Sequence, residues 1–254
     1  MTIKPYYEEP GITIYCGDCM EIIPKLEKVD MIFTDPPYGH NNNNGDLIHN
    51  WEKALGKSII SCESRPIAND GPEANVLVKW LFDSCKNILK PEGCCCCCCC
   101  CGGGGPDPQF ARWSLWMDKA MNFKQMIVWD KGPMGMGWHY RRSYETVLVG
   151  YVGDKCKWYD ETNKIENIIR YIPKIIPRIE DHPTPKPVEL VKFFINLHTL
   201  HGETVLDPFM GSGTTLLAAK DLGRKAIGIE IEEKYCEIAV KRLMQEVLCF
   251  EDIK

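Results

Sequence analysis

Val29-Asp30-Met31-Ile32-Phe33-Thr34-Asp35-Pro36-Pro37-Tyr38 is the stretch on which the reading of the whole chain turns. A short, β-favouring, mostly apolar run is cut off by two prolines. That pattern predicts a parallel strand covered on both faces. Active sites of open α/β sheets lie beyond the carboxyl ends of their strands. A carboxylate, a stiffened backbone and an aromatic ring therefore arrive together where chemistry is expected. Pro36 and Pro37 have no N–H to donate and a fixed φ. The Asp35 carboxylate and the Pro36 carbonyl can then serve as fixed acceptors for an NH₂ group, with Tyr38 stacked on the ring that bears it.

Outward from this stretch, strands and helices alternate. Ile12–Tyr15 is predicted as a strand ending at Gly17-Asp18, followed by a short helix over 21–26 that Pro24 interrupts. Val76, Val78, Leu81, Phe82, Cys85 and Leu89 predict a helix over 73–89, stopped by Pro91-Glu92-Gly93. The run Cys94–Cys101 then falls where the next buried parallel strand belongs, with Gly102–Gly105 as the loop at its end. A helix over 108–122 precedes strands at 124–129 and 145–151. A helix at 187–200, a strand at 203–206, a helix at 213–222 closed by Gly223, a strand at 225–229 and a helix at 233–248 complete the chain. On the last helix Tyr235, Ile238, Ala239, Leu243 and Val247 share one face. The alternation implies an α/β, doubly wound sheet. Residues 39–72 are polar, with Asn41–Asn44 among them, and read as a mobile loop. Residues 152–181 carry no assignment.

The 254 residues suit one domain, 1–254. No apolar stretch reaches the length of a membrane span, and Met1–Pro5 has no apolar signal core. A soluble, cytoplasmic protein is expected. The net charge of −5 argues against bulk attraction to nucleic acid, but residues 131–178 carry 9 basic and 5 acidic side chains. Within them, Gly132–Arg142 is glycine-rich, basic and aromatic, which suits a loop on nucleic acid. Fifteen cysteines suggest disulfides or metal. Neighbouring residues of an extended strand point to opposite faces, however, so the cysteine run is not expected to converge on one metal. Cys16 and Cys19 have zinc-like spacing without a second pair. In a reducing compartment cysteine acts as a small buried hydrophobe, and no metal ligand is expected.

A second motif joins a strand to a helix: Asp207-Pro208-Phe209-Met210-Gly211-Ser212-Gly213-Thr214-Thr215. Its glycines permit a tight turn and close approach of a ligand, and the helix start offers N–H groups to an anion. It lacks both the GxGxxG spacing of a dinucleotide site and the Walker lysine. What remains is a site for a nucleoside carrying a carboxylate. The next strand ends at Glu230, whose carboxylate can accept both ribose hydroxyls.

Asp35-Pro36-Pro37-Tyr38, His182-Pro183-Thr184-Pro185-Lys186-Pro187 and the Asp207–Thr215 motif, in that order, resemble the S-adenosylmethionine-dependent amino-methyltransferases of DNA. More narrowly the chain is similar to their permuted β group, in which the catalytic motif precedes the cofactor motif. The resemblance covers roughly 11–38, 73–150 and 181–243. It implies a Rossmann-like, mostly parallel, seven-stranded sheet with one antiparallel strand. It places Asp18, with Cys19 beside it, against the cofactor adenine, and Glu230 on its ribose. Phe209, Gly211 and Gly213 would wrap the methionine, with Asp207, Pro208, Ser212, Thr214 and Thr215 completing the pocket. Thr184 and Lys186 would lie near the methionine carboxylate. Lys131 matches the family's W-x-K pattern near the target base, and 131–181 would be a small target-recognition insert. Trp129, Trp138, His139, Arg141 and Arg142 are the candidate DNA contacts. The cysteine run replaces an ordinary aliphatic strand, and 152–181 matches no part of the pattern.

The implied activity is site-specific transfer of a methyl group to adenine N6 in double-stranded DNA after base flipping. The expected setting is a bacterial or phage-infected cell, in a restriction-modification context, with no membrane or metal partner and with a homodimer allowed. Ring-carbon cytosine methylation is disfavoured, because no Pro-Cys pair occurs. Cytosine N4 uses the same geometry, and in the resembling family Asp at the first motif position leans towards adenine. The alternatives are a cytosine-N4 methyltransferase, an amino-methyltransferase of RNA or protein, and a non-enzymatic, cysteine-rich metal-binding module.

Overall fold

A computed structural model of the chain describes residues 3–39, 67–99, 109–132, 143–173 and 186–245. Its strands are β1 (Tyr7–Glu9), β2 (Ile12–Cys16), β3 (Val29–Thr34), β4 (Leu89–Cys99), β5 (Asn122–Asp130), β6 (Tyr144–Tyr151), β7 (Ile168–Ile169), β8 (Thr204–Asp207) and β9 (Lys225–Glu230). Its helices are α1 (Cys19–Ile22), α2 (Glu73–Ile88), α3 (Gln109–Ala120), α4 (Val188–His198), α5 (Thr214–Asp221) and α6 (Glu233–Met244). The strands form one sheet in the order β1-β2-β9-β8-β3-β4-β6-β5-β7.

The seven strands from β2 to β5 form the expected sheet, in which only β6 runs against the others. Two short edge strands enlarge it to nine: β1, antiparallel to β2, and β7, parallel to β5. From β3 the chain winds through α2 to β4; from β8 it winds through α5 to β9, in the opposite direction. The crevice between β3 and β8 is thus the topological switch point, where α/β sheets bind ligands.

All six residues of β3 are buried, as a strand with helices on both faces requires. The cysteine run supplies its neighbour. Cys94, Cys96 and Cys98 pack with Leu190, Phe194 and Leu216 on one face. Cys95, Cys97 and Cys99 pack with Phe82, Trp113 and Met117 on the other. Small side chains let two helical layers approach this strand closely. Asp30, buried within β3, braces the opposite end of the sheet. It accepts from Lys90, from the Thr204 N–H and from Lys157. Burial alone would raise its pKa, but these donors outweigh it and hold the carboxyl at about 2.

Several expectations change. β4 begins at Leu89, ahead of the Pro-Glu-Gly turn, and the turn becomes a register shift inside the strand. Val76 and Leu115 are 63% and 62% exposed, because Leu77 and Trp113 take the inward positions on their helices. The helix expected over 21–26 starts at Cys19, capped by the Asp18 side chain on the Met20 N–H, and Ile23–Lys25 continue it as a 3₁₀ turn. Segment 131–181 is not an insert along its whole length. β6 lies inside the sheet, hydrogen-bonded to β4 and β5. Of the expected loop at 39–72, only Gly39 and 67–72 are described, and Val247 lies outside the described residues.

Candidate active site

Four carboxylates end four adjacent strands along one edge: Asp18 just after β2, Glu230 on β9, Asp207 on β8 and Asp35 just after β3. Each strand delivers its acid to the same edge because these strands are parallel.

Asp207 is the brace of this edge. Its Oδ1 accepts from the Thr34 hydroxyl (2.8 Å) and the Phe209 N–H (3.1 Å), and its Oδ2 from the Thr215 hydroxyl (2.5 Å). It therefore ties β3, β8 and α5 together across the switch point. Burial pushes its pKa up to about 6 against these hydrogen bonds. The turn that follows is wound tightly: Gly211 and Gly213 have φ of +50° and +79°, and Gly213 packs so closely on Ala239 that a Cβ would lie 2.8 Å from the alanine's own. Arg242, from α6, donates to the Ser212 carbonyl (2.7 Å) and hydroxyl (2.9 Å). The N-cap of α5, Gly213, makes no side-chain bond to the first turn, which leaves the helix start open to an anion.

Glu230 accepts from the Gly211 N–H through one oxygen (3.0 Å) and from the Glu232 N–H through the other (2.8 Å). Each oxygen keeps a lone pair for a further donor, so the carboxylate fits a pair of hydroxyls. Burial pushes its pKa up to about 7. Asp18 is adjacent through the Gly17 N–H bond to the Glu230 carbonyl, and Cys19 is buried. Gly228, on β9, leaves the room in which Met210 and Leu216 sit; a Cβ there would lie 2.4 Å from the Met210 sulfur. Gly228→Val is expected to displace Met210, destabilise the fold by about 1–3 kcal/mol and weaken cofactor binding, as denaturant unfolding and calorimetry would read.

Around Asp35 the structure assembles a network that the sequence did not reveal. The Tyr38 hydroxyl donates to Asp35 Oδ1, and Lys186 Nζ lies 2.5 Å from Oδ2. Lys186 also donates to the Tyr38 oxygen (3.0 Å) and sits 3.4 Å from Glu145 Oε2. Lys131 holds Glu145 Oε1 at 2.8 Å. Two carboxylates thus alternate with two ammonium groups. Burial raises the pKa of Asp35, with Lys186 and Tyr38 pulling against it and Glu145 adding to it. Burial would also raise Glu145, but Lys186 and Lys131 outweigh it and hold that carboxyl at about 2. Lys186 itself is raised: Asp35 and Glu145 outweigh its burial.

Lys186, expected beside a methionine carboxylate, is engaged with Asp35 and Glu145. Tyr38 keeps a half-buried ring 6.4 Å from that of Trp113. Pro36 is buried and Pro37 half-buried. Trp129, expected on DNA, is instead a core residue: 2% exposed, with its N–H on the Ile172 carbonyl. That position of β5 faces inward, so the ring cannot reach a duplex. Thr184, Trp138, His139, Arg141 and Arg142 lie outside the described residues. Two functional residues were missed. Glu145 carries no motif, being a single acid at the start of β6. Asp70 accepts from the Tyr38 and Gly39 N–H groups (2.9 and 2.8 Å) and fixes the turn after Pro37. The Asn69-Asp70-Gly71-Pro72 turn signature was its only signal.

A doubly wound sheet with an acid-lined switch point and a glycine turn at one strand end defines a Rossmann-like fold with its ligand site at that crevice. Comparison with known proteins narrows this. A family described as DNA methylase matches residues 29–241. Type II methyltransferase M2.DpnII of Streptococcus pneumoniae is 29% identical over 266 residues, covering 96% of this chain and 93% of that protein. DNA adenine methyltransferase YhdJ of Escherichia coli (strain K12) is 29% identical over 268 residues, covering 91% and 82%. The crystal structure of an M1.HpyAVI–SAM complex superposes with a TM-score of 0.66 at 28% identity, covering 92% of this chain and all of that one. The PvuII cytosine-N4-specific DNA methyltransferase shares the fold, with a TM-score of 0.70 at 18% identity, covering 96% and 90%. The chain belongs to the N6/N4 DNA methylase family.

Proposed function

We propose that the protein methylates the exocyclic N6 of adenine in double-stranded DNA, with S-adenosylmethionine as methyl donor. The observation that carries this is the placement of Asp35 at the switch point, one strand from the glycine turn. Two relatives of similar identity support it: YhdJ is named as a DNA adenine methyltransferase, and the M1.HpyAVI crystal structure is of a SAM complex. S-adenosylmethionine, when bound, supplies an electrophilic methyl group. Glu230 holds its ribose, Asp18 lies towards its adenine, and the Phe209–Gly213 turn encloses its amino-acid end.

The amino nitrogen of adenine is a poor nucleophile, because its lone pair is delocalised into the ring. The Asp35 carboxylate and the Pro36 carbonyl each accept one N–H, which favours a pyramidal nitrogen and turns its lone pair towards the crevice over β8. Catalysis then consists of positioning and electrostatic stabilisation. The Tyr38 hydroxyl and Lys186 hold the carboxylate in place. The base leaves the duplex to reach this crevice, at about a few kcal/mol. The basic stretch at 131–142 serves target recognition. Expression in a methylation-deficient host, followed by sequencing for modified bases, tests the reading. N6-methyladenine in one sequence context is expected; N4-methylcytosine or no modification would overturn it.

Cofactor affinity is expected to depend on pH through Glu230. The hydroxyls of ribose donate to the ionised carboxylate. Binding therefore strengthens as pH rises through about 7 and then levels off, falling up to about tenfold per unit below that. Calorimetry of S-adenosylmethionine binding across this range reads the slope, and Glu230→Gln should flatten it.

A further inference from the structure

We propose that Cys94, Cys96, His198 and Cys156 form a binding site for a zinc-class divalent metal, separate from the catalytic edge. The cysteine run was expected to be unable to converge on a metal because neighbouring side chains of a strand diverge. Alternate side chains do not: Cys94 and Cys96 share one face of β4. Their sulfur atoms lie 3.6 Å apart. Two thiolates on one tetrahedral zinc, each about 2.3 Å from it, are separated by about 3.8 Å. The thiols therefore already span one edge of such a tetrahedron.

Two further elements complete the set. His198, the last residue of α4, is 3% exposed, and one of its ring nitrogens lies within 4.8 Å of both sulfurs. Cys156, in the chain after β6, lies outside that close group of three but near it: its sulfur is 3.7 Å from His198 Nδ1 and it hydrogen-bonds to the Cys94 thiol, so it is the candidate fourth ligand. His198 Nδ1 also lies 2.9 Å from the Lys157 carbonyl. With Nδ1–H on that carbonyl, Nε2 is the nitrogen left to ligate, and the carbonyl is the outer contact that commonly fixes the ring of a ligating histidine. Three thiols and one imidazole are a structural zinc set, soft enough to exclude magnesium and calcium.

Each ligating thiol gives its proton to solvent. A dication, three thiolates and a neutral imidazole then leave one net negative charge. Cys94 pairs with Tyr151, whereas Cys99 pairs with Thr146, so the cluster lies down the strand from Asp35. It would clasp β4, the chain after β6 and the end of α4. The role is a closed structural site, independent of methyl transfer.

Metal analysis of the reduced, full-length protein from zinc-supplemented cells tests this, with zinc-edge X-ray absorption on the same sample. One equivalent of zinc is expected, with a sulfur shell near about 2.3 Å and a nitrogen near about 2.0 Å. Cys156→Ser and Cys96→Ser should each lose most of it. Cys95→Ser, on the opposite face of the same strand, should keep it. Absence of zinc, a shell of oxygen and nitrogen alone, or equal loss in Cys95→Ser overturns the proposal. The wild-type spectrum decides even where a variant fails to fold. With cobalt in place of zinc, thiolate-to-metal charge-transfer bands should appear, and their absence counts against the site equally.

Discussion

Asp35→Ala is expected to lower single-turnover methyl transfer by about a hundred- to a thousand-fold or more, with S-adenosylmethionine affinity changed little. The alanine removes one of the two acceptors that grip the amino group, and the nitrogen relaxes to its planar, weakly nucleophilic form. The fold should survive, because Lys186 keeps Glu145 at 3.4 Å and Asp207 still ties Thr34 to Thr215. Asp35→Asn should fall between wild type and Asp35→Ala. Its amide oxygen accepts one N–H, but the charge opposite Lys186 is gone. Radiolabelled methyl transfer and calorimetry read the two effects separately. Retained transfer would remove Asp35 from the mechanism. Loss of cofactor binding alongside transfer would make it a structural residue.

Local sequence revealed the parts of the fold that repeat a local rule. β3 could be read because burial on both faces leaves a continuous apolar run and the prolines mark where it stops. The Asp207–Thr215 turn could be read because a glycine-rich link between strand and helix has few physical uses. β4 could be placed in a stretch of cysteines with no ordinary strand composition, since length and position between helix and loop were enough. Pairing partners were harder. Glu145 meets Lys186 only because β6 inserts antiparallel between β4 and β5, and no short-range pattern announces that register. Trp129 shows the reverse failure. It was a candidate second aromatic to hold the target base, while the inward phase of β5 buries it. The cysteine cluster lay between these cases. Strand alternation was the right rule, applied to adjacent residues when it is the alternate ones that meet.

Lys186→Met separates two roles for this lysine, and its effect should be nearly as large. Lys186 is 8% exposed and lies between Asp35 and Glu145. Without it Glu145 keeps Lys131, while Asp35 keeps, among the described residues, the Tyr38 hydroxyl. Burial already holds the Asp35 pKa above the ordinary aspartate range, and Lys186 is the strongest influence opposing that rise. The acceptor of the amino N–H is the ionised carboxylate, so activity rises with pH through the Asp35 pKa. Raising that pKa further moves the acid limb of kcat to higher pH. A loss of about ten- to a hundredfold at neutral pH is expected, about one decade per unit of displacement, with recovery as the buffer is made more alkaline. Lys186→Arg, which keeps the charge, should restore most of the profile. If Lys186 serves the methionine carboxylate instead, the acid limb stays in place and KM for S-adenosylmethionine rises. A pH profile and a KM measured on one variant therefore distinguish a lysine that keeps Asp35 ionised from one that holds the cofactor.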